Sequence, residues 1–254
     1  MGRVPERKAA PTYLLAGSGR LAKHLKRYLS RSGYELRLWS RNGDPAFNSI
    51  SAKRVPDPFE RLALAAQDAS CVLLALSDAA IPEIAGHKAL SRKLRVHFSG
   101  AHSWPRLHGA HPLMSFGPEL YPLKTYASIP FVCEKGRASF HRLFPGLRNP
   151  SFTIEPEQKP LYHALCSMSG NFTALLWQAA FEHLDGKLGL PRAALEPYLR
   201  QVCANIARDP ASALTGPLSR GDGGTLSAHL AALKGSPLKN VYASFLALHG
   251  AKKQ

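Results

Sequence analysis

Tyr13-Leu14-Leu15-Ala16-Gly17-Ser18-Gly19-Arg20-Leu21-Ala22 decides the fold. The apolar residues before Gly17 make a short strand, and Gly17-Ser18-Gly19 supplies a turn. From Arg20 to Arg31, Leu21, Ala22, Leu25, Tyr28 and Leu29 recur at helical spacing, and Ser32-Gly33 ends the run. Tyr34-Glu35-Leu36-Arg37-Leu38-Trp39 then alternates as a second strand. Strand, glycine turn, helix and strand within about 30 residues make a βαβ unit. In that setting G-x-G-x-x-A predicts a dinucleotide-binding turn. Gly17 permits the tight turn, Gly19 lets the backbone approach a pyrophosphate, and Ala22 lets the helix sit close against the strand. The alternative reading is a tight structural turn.

The expected cofactor contacts begin with Gly17, Ser18, Gly19, Arg20 and Leu21, where a helix N-terminus faces the anion. About 20 residues on, an NAD site places a carboxylate on the ribose 2′-hydroxyl. Here the second strand ends in Trp39-Ser40-Arg41-Asn42. A guanidinium suits a 2′-phosphate, with Ser40 donating a hydrogen bond, so the turn predicts NADP(H); a solvated turn arginine is the bland alternative. The ends of two later strands, Leu76-Ser77-Asp78 and Phe98-Ser99-Gly100, should line the same crevice.

Further along, Leu62 to Gln67 reads as a helix and Cys71 to Leu76 as a strand buried on both faces. A helix over Ile81 to Leu90 and a strand over Leu94 to Phe98 follow. Ala101 to Gly117 reads as a loop, Ile129 to Glu134 as a strand, and Ala138 to Phe144 as a short helix. Turn formers from Pro145 to Pro156 place a domain boundary there. Helices are then expected over Pro160 to Leu184, Arg192 to Arg208, Thr225 to Leu233 and Leu238 to Leu248. The expected organisation is a flexible tail (1–10), an α/β doubly wound, mostly parallel Rossmann domain (11–150) and an all-α domain (151–254).

The 254-residue chain is 45% hydrophobic, as globular proteins are, and has no apolar run near the roughly 20 residues of a membrane helix. Its charged start does not read as a secretory signal. Cys71, Cys133, Cys166 and Cys203 form no C-x-x-C pair. Three of them, Cys71, Cys133 and Cys166, lie in apolar runs and read as small hydrophobes of a reducing, cytoplasmic compartment. The net charge is +16, from 33 Lys and Arg against 17 Asp and Glu. Its cations are scattered, with no basic run or aromatic-basic motif, which favours small anionic ligands over nucleic acid. His97, His102, His108 and His111 match no zinc spacing, so no metal site is expected.

The chain resembles Rossmann-like proteins carrying a C-terminal helical domain of unknown function, distant relatives of ketopantoate reductase and pyrroline-carboxylate reductase. The likeness rests on Gly17 to Ala22, Trp39-Ser40-Arg41, Leu76 to Ile81, His97 to Ala101, His111-Pro112-Leu113, Tyr162-His163-Ala164 and Leu214 to Asp222. It departs at Ser77, where the family has a proline. The resemblance implies a two-domain reductase, homodimeric through its helical domain, and names no substrate.

Hydride transfer needs a proton donor beside the reacting carbon. Lys159, His163, Ser167 and Gly170 fall on one stripe of the first long helix, with Asn171 on its flank. Ketopantoate-reductase-like enzymes use a lysine and an asparagine near this junction. The resemblance therefore implies that Lys159 or His163 protonates and Asn171 orients the substrate. The bland alternative is a solvated Lys159 and a structural His163. Within Thr215 to Thr225, Arg220 could fork onto a substrate carboxylate and Thr215 could donate a hydrogen bond. Asp222 belongs to the same substrate loop, and Asp222 or Thr225 could simply cap the next helix. His111, shaping a loop over the nicotinamide, and Ser99 complete the expected substrate contacts. The expected activity is NADP(H)-dependent reduction of a small carboxylate-bearing carbonyl or imine, with a non-catalytic NADP(H) sensor as the alternative.

Overall fold

The computed structural model describes residues 11–251, so the expected tail, 1–10, lies outside the described residues. The chain divides into two compact units, Met1–Ala174 and Leu175–Gln254.

The first unit is built on a seven-stranded sheet of β1 (Thr12–Ala16), β2 (Glu35–Trp39), β3 (Cys71–Leu74), β4 (Leu94–His97), β5 (His108–Pro112), β6 (Phe131–Glu134) and β7 (Ser151–Ile154). The spatial order is β2-β1-β3-β4-β5-β6-β7. The first five strands run parallel, β6 lies antiparallel to β5, and β7 runs with β6. Strand order reverses between β1 and β3, which opens a crevice at their carboxyl ends.

Helices α1 (Arg20–Arg31), α2 (Pro58–Ala66), α3 (Ile81–Ala85), α4 (Leu123–Ser128) and α5 (Phe140–Leu143) cover this sheet. Period-two alternation sends Leu15, Leu73 and Val96 to one face, with Ala22, Leu25 and Leu29 of α1 and Phe140 of α5. Leu14, Val72 and Leu74 go to the other, with Leu62 of α2 and Ile81 and Ile84 of α3. Both faces of β1 and β3 are thereby closed, the reason these strands read as unbroken apolar runs.

Two strands escaped the sequence reading. β5 lies inside the expected loop because His108-Gly109-Ala110-His111-Pro112 has little strand propensity and is held by neighbours on both sides. β7 lies among the turn formers around 150, an edge strand of Ser151-Phe152-Thr153-Ile154. The sheet therefore continues past residue 150, and the compact units part later, after Ala174.

The long helix expected from Pro160 is α6 (Lys159–Ser167), a π-helical turn (Met168–Phe172) and α7 (Thr173–Leu188) in succession. The second unit holds most of α7 with α8 (Arg192–Arg208), α9 (Gly216–Arg220), α10 (Gly223–Ala232) and α11 (Leu238–Ala251). α9 stands where the sequence suggested a glycine-rich loop. Among its described residues, Leu195 alone is buried.

Candidate functional site

The predicted phosphate turn closes β1 onto α1. Gly17 donates its N–H to the Trp39 carbonyl at 2.8 Å and adopts φ 128°. A Cβ at Gly17 would collide with the Ala75 carbonyl oxygen, so only glycine fits. In front of Gly19 there is open space, and α1 has no side-chain N-cap and no acidic residue in its first turn. Its free N–H groups and positive dipole end therefore face open space with the character of an anion cradle.

Gly17, Ser18, Gly19, Arg20 and Leu21 line a cleft of about 400 Å³ together with Ser40, Arg41, Leu76 and Ser77. Asn42 and Ala75 join them. Asp78, Ser99 and Gly100, also expected here, are not part of this cleft's lining. Asp78 Oδ2 lies 3.6 Å from His102 Nε2. Ser99 is buried and accepts the His102 N–H at 3.0 Å. Arg41 is half-exposed, its guanidinium 2.5 Å from Glu83 and 5.6 Å from the Phe59 ring. The Ser40 hydroxyl does not have the role expected of it. It is buried, donates to Asn42 Oδ1 at 2.8 Å and accepts from Asn48 at 2.7 Å, so it shapes the turn.

A second cleft, of about 360 Å³, lies against α6 and the π turn. His111, His163, Cys166, Ser167, Gly170 and Asn171 line it, without a charged carboxylate or ammonium. Cys166 is thus half-buried on a cleft wall, while Cys71 and Cys133 are core residues and Cys203 is exposed. The His111 and His163 rings stand perpendicular, centroids 5.6 Å apart. They press on Gly100, where a Cβ would strike both imidazoles. His111 Nδ1 lies 2.8 Å from the Tyr162 hydroxyl. Burial, then the charges of His163 and Lys159, pull His111 down to about 4, so its imidazole is neutral near pH 7.

Lys159 sits elsewhere than expected. Its side chain is 3% exposed, with Nζ donating to Glu134 Oε1 at 2.7 Å. His97 Nε2 is 3.2 Å from the same oxygen, off hydrogen-bond geometry, and both its ring nitrogens are unpartnered. His97 pairs with Gly109 across β4 and β5, and the Glu134 carboxylate occupies the space a Gly109 side chain would take. One sheet row therefore carries imidazole, gap and carboxylate, capped by the ammonium. Burial pushes the Glu134 carboxyl up, but the His97 and Lys159 contacts outweigh it and hold the group at about 2. Burial lowers Lys159, opposed by Glu134. Sequence reasoning missed Glu134, although a carboxylate ending the apolar run Phe131-Val132-Cys133 was a signal. His108 has a separate partner, its Nδ1 accepting the Ala138 N–H at 3.1 Å.

Within the second unit, Asp222 caps α10, accepting the Thr225 N–H at 3.1 Å and its hydroxyl at 2.7 Å. Those two hydrogen bonds, the hydroxyl first, lower the Asp222 carboxyl. Thr215 precedes α9 and makes no side-chain cap, and Arg220 is exposed in its last turn.

Residues 129–247 match the family model described as "Domain of unknown function (DUF2520)". No curated protein matches the chain. Among solved structures, a protein from Bacteroides fragilis provisionally named an NADP oxidoreductase is 21% identical, with a TM-score of 0.71 over 94% of this chain and 98% of its own. The 1-pyrroline-5-carboxylate reductase of Streptococcus pyogenes is 17% identical, with a TM-score of 0.58 over 96% and 98%. A Plasmodium falciparum pyrroline carboxylate reductase with NADP bound is 11% identical, with a TM-score of 0.58 over 95% and 96%. These likenesses give the chain a Rossmann-type α/β fold followed by a helical region.

Proposed function

We propose that this chain is an NADP(H)-dependent reductase of a small carbonyl or imine substrate bearing a carboxylate, of the ketopantoate or cyclic-imine type. The observation that carries the reading is the open cradle at the N-terminus of α1, with Arg41 lining the same cleft. The N–H groups from Ser18 to Leu21 hold the pyrophosphate, and Arg41 exchanges Glu83 for the 2′-phosphate. NADPH, when bound, supplies the hydride. His163, half-buried on the second cleft, supplies the proton in place of Lys159, whose ammonium is committed to Glu134. Asn171, exposed on the π turn, orients the substrate, and His111 lies beside it. Arg220, in the last turn of α9, remains the candidate for the substrate carboxylate, with Thr215 just before that helix. The names of the similar structures, among them a pyrroline carboxylate reductase with NADP bound, support the same class.

The working form is a cytoplasmic homodimer. Leu188, Tyr198, Ile206, Phe245 and Leu248 of the helical unit are exposed apolar groups suited to a second copy. A non-catalytic NADP(H) sensor is the second reading, favoured by the burial of Lys159.

Titration with NADPH and NADH, followed by nicotinamide fluorescence, tests the cofactor. NADPH should bind at least about tenfold more tightly, a gap of about 1.4 kcal/mol, and Arg41→Asp should erase the gap. Equal losses for both nucleotides would refute the 2′-phosphate role, and binding of neither would remove the redox reading.

A further inference from the structure

Tyr162 is half-buried on α6, and its described hydrogen-bond partner is His111 Nδ1, at 2.8 Å. Burial, then the neighbouring Cys166 side chain, keeps the phenol protonated, so it has one hydrogen to donate. A neutral imidazole holds one proton on one of two nitrogens, and the partner of one nitrogen decides the other. If Nδ1 were protonated, the phenol hydrogen would be left with only the Cys166 sulfur, a weak acceptor. With Nδ1 accepting, both groups are satisfied and Nε2 carries the hydrogen. Gly100 leaves room for that edge of the ring, since a Cβ there would come within 3.0 Å of Nε2. The same ring lines the second cleft beside His163 and Asn171.

We infer that His111 acts as a neutral hydrogen-bond donor, through Nε2–H, to the oxygen or nitrogen of the reacting double bond, and that Tyr162 is the positioning residue that fixes this tautomer. The inference rests on the reduction proposed above. As hydride reaches the substrate carbon, electron density moves to the heteroatom, where the fixed N–H stabilises it. His111 gives up no proton, because the proton that completes the reduction comes from His163.

The test is nitrogen NMR of ¹⁵N-histidine-labelled full-length chain at pH 7, with the His111 signals identified by their loss in His111→Gln. Wild type should show an unprotonated, hydrogen-bonded Nδ1 and a protonated Nε2. Tyr162→Phe should shift part of the population to the other tautomer while NADPH affinity stays within about twofold. A protonated Nδ1 in wild type, or a tautomer untouched by Tyr162→Phe, would overturn the inference. With a 2-oxo acid or cyclic imine that the wild type reduces, Tyr162→Phe should lower kcat about tenfold with little change in KM. His111→Gln, which keeps a donor, should retain more turnover than His111→Leu; equal losses in the two would also overturn it. Absence of NADPH binding by wild type would instead sink the reductase reading and leave the tautomer to be decided by the spectrum.

Discussion

Up to Ala174 the chain seals three ionisable groups, His97, Glu134 and Lys159, beneath an apolar core closed on both sides of a sheet. From Leu175 onward, among the described residues, Leu195 alone is buried, while Leu188, Tyr198 and Phe245 stand in solvent. The first region has surplus burial with which to hold charges out of water. The second has helices whose apolar faces exceed what they cover by themselves. Helical stability comes mainly from such packing, and the exposed apolar side chains also include Leu161, Leu165, Met168 and Phe172 of α6 and the π turn, so the contrast lies between the sealed sheet and the helices that follow it.

Three experiments bear on this contrast. The largest effect is expected at the buried ionic row. Glu134→Ala leaves the Lys159 ammonium buried without its partner and should cost about 3–5 kcal/mol, measured by urea unfolding of the full chain. A loss below about 1 kcal/mol would mean that water reaches the row and the two regions differ less than their burial implies.

Acid should come next. His111 titrates at about 4 folded against an ordinary value of 6.5, so the unfolded chain binds more protons between those values. Stability should be greatest above pH 6.5 and fall as the pH drops towards 4, by on the order of 3 kcal/mol from this group. Glu134, held at about 2 against 4.5, adds a second loss only below about pH 4.5. Unfolding midpoints in urea between pH 7 and pH 4 should show the first slope, and His111→Gln should flatten it. An unchanged slope would assign the acid sensitivity to other groups.

The smallest change in unfolding energy belongs to the helical unit. Phe245→Ser, at a side chain 48% exposed, should alter monomer stability by only about 0.5 kcal/mol. The same change should shift sedimentation from dimer towards monomer. Wild type sedimenting as a monomer would end the dimer proposal.

What the sequence made legible follows the range of the interactions. The glycine turn, α1 and β2 were readable because their signals lie within one βαβ unit. α8 was readable because its apolar spacing persists for 17 residues. β5 and β7 were hidden, since neighbouring strands rather than local propensity make them extended. The stripe of Lys159, His163, Ser167 and Gly170 assumed one regular helix. In the folded chain Lys159 pairs with Glu134 of β6, and the last three share a cleft. The π turn that carries Asn171 has no sequence signature comparable to a cap or a glycine stop. Glu134 and Lys159 meet across 25 residues, and only the sheet register brings His97 to the same carboxylate.

The space left by Gly109 makes two distant positions a single heritable trait. A descendant chain cannot acquire a side chain at position 109 while Glu134 fills the gap, and shortening the carboxylate first leaves Lys159 stranded. Each change is costly alone, and the route between alternatives passes through a second alteration at 134 or 159. Divergence at these sites is therefore expected in concerted steps, with the glycine the last of them to yield.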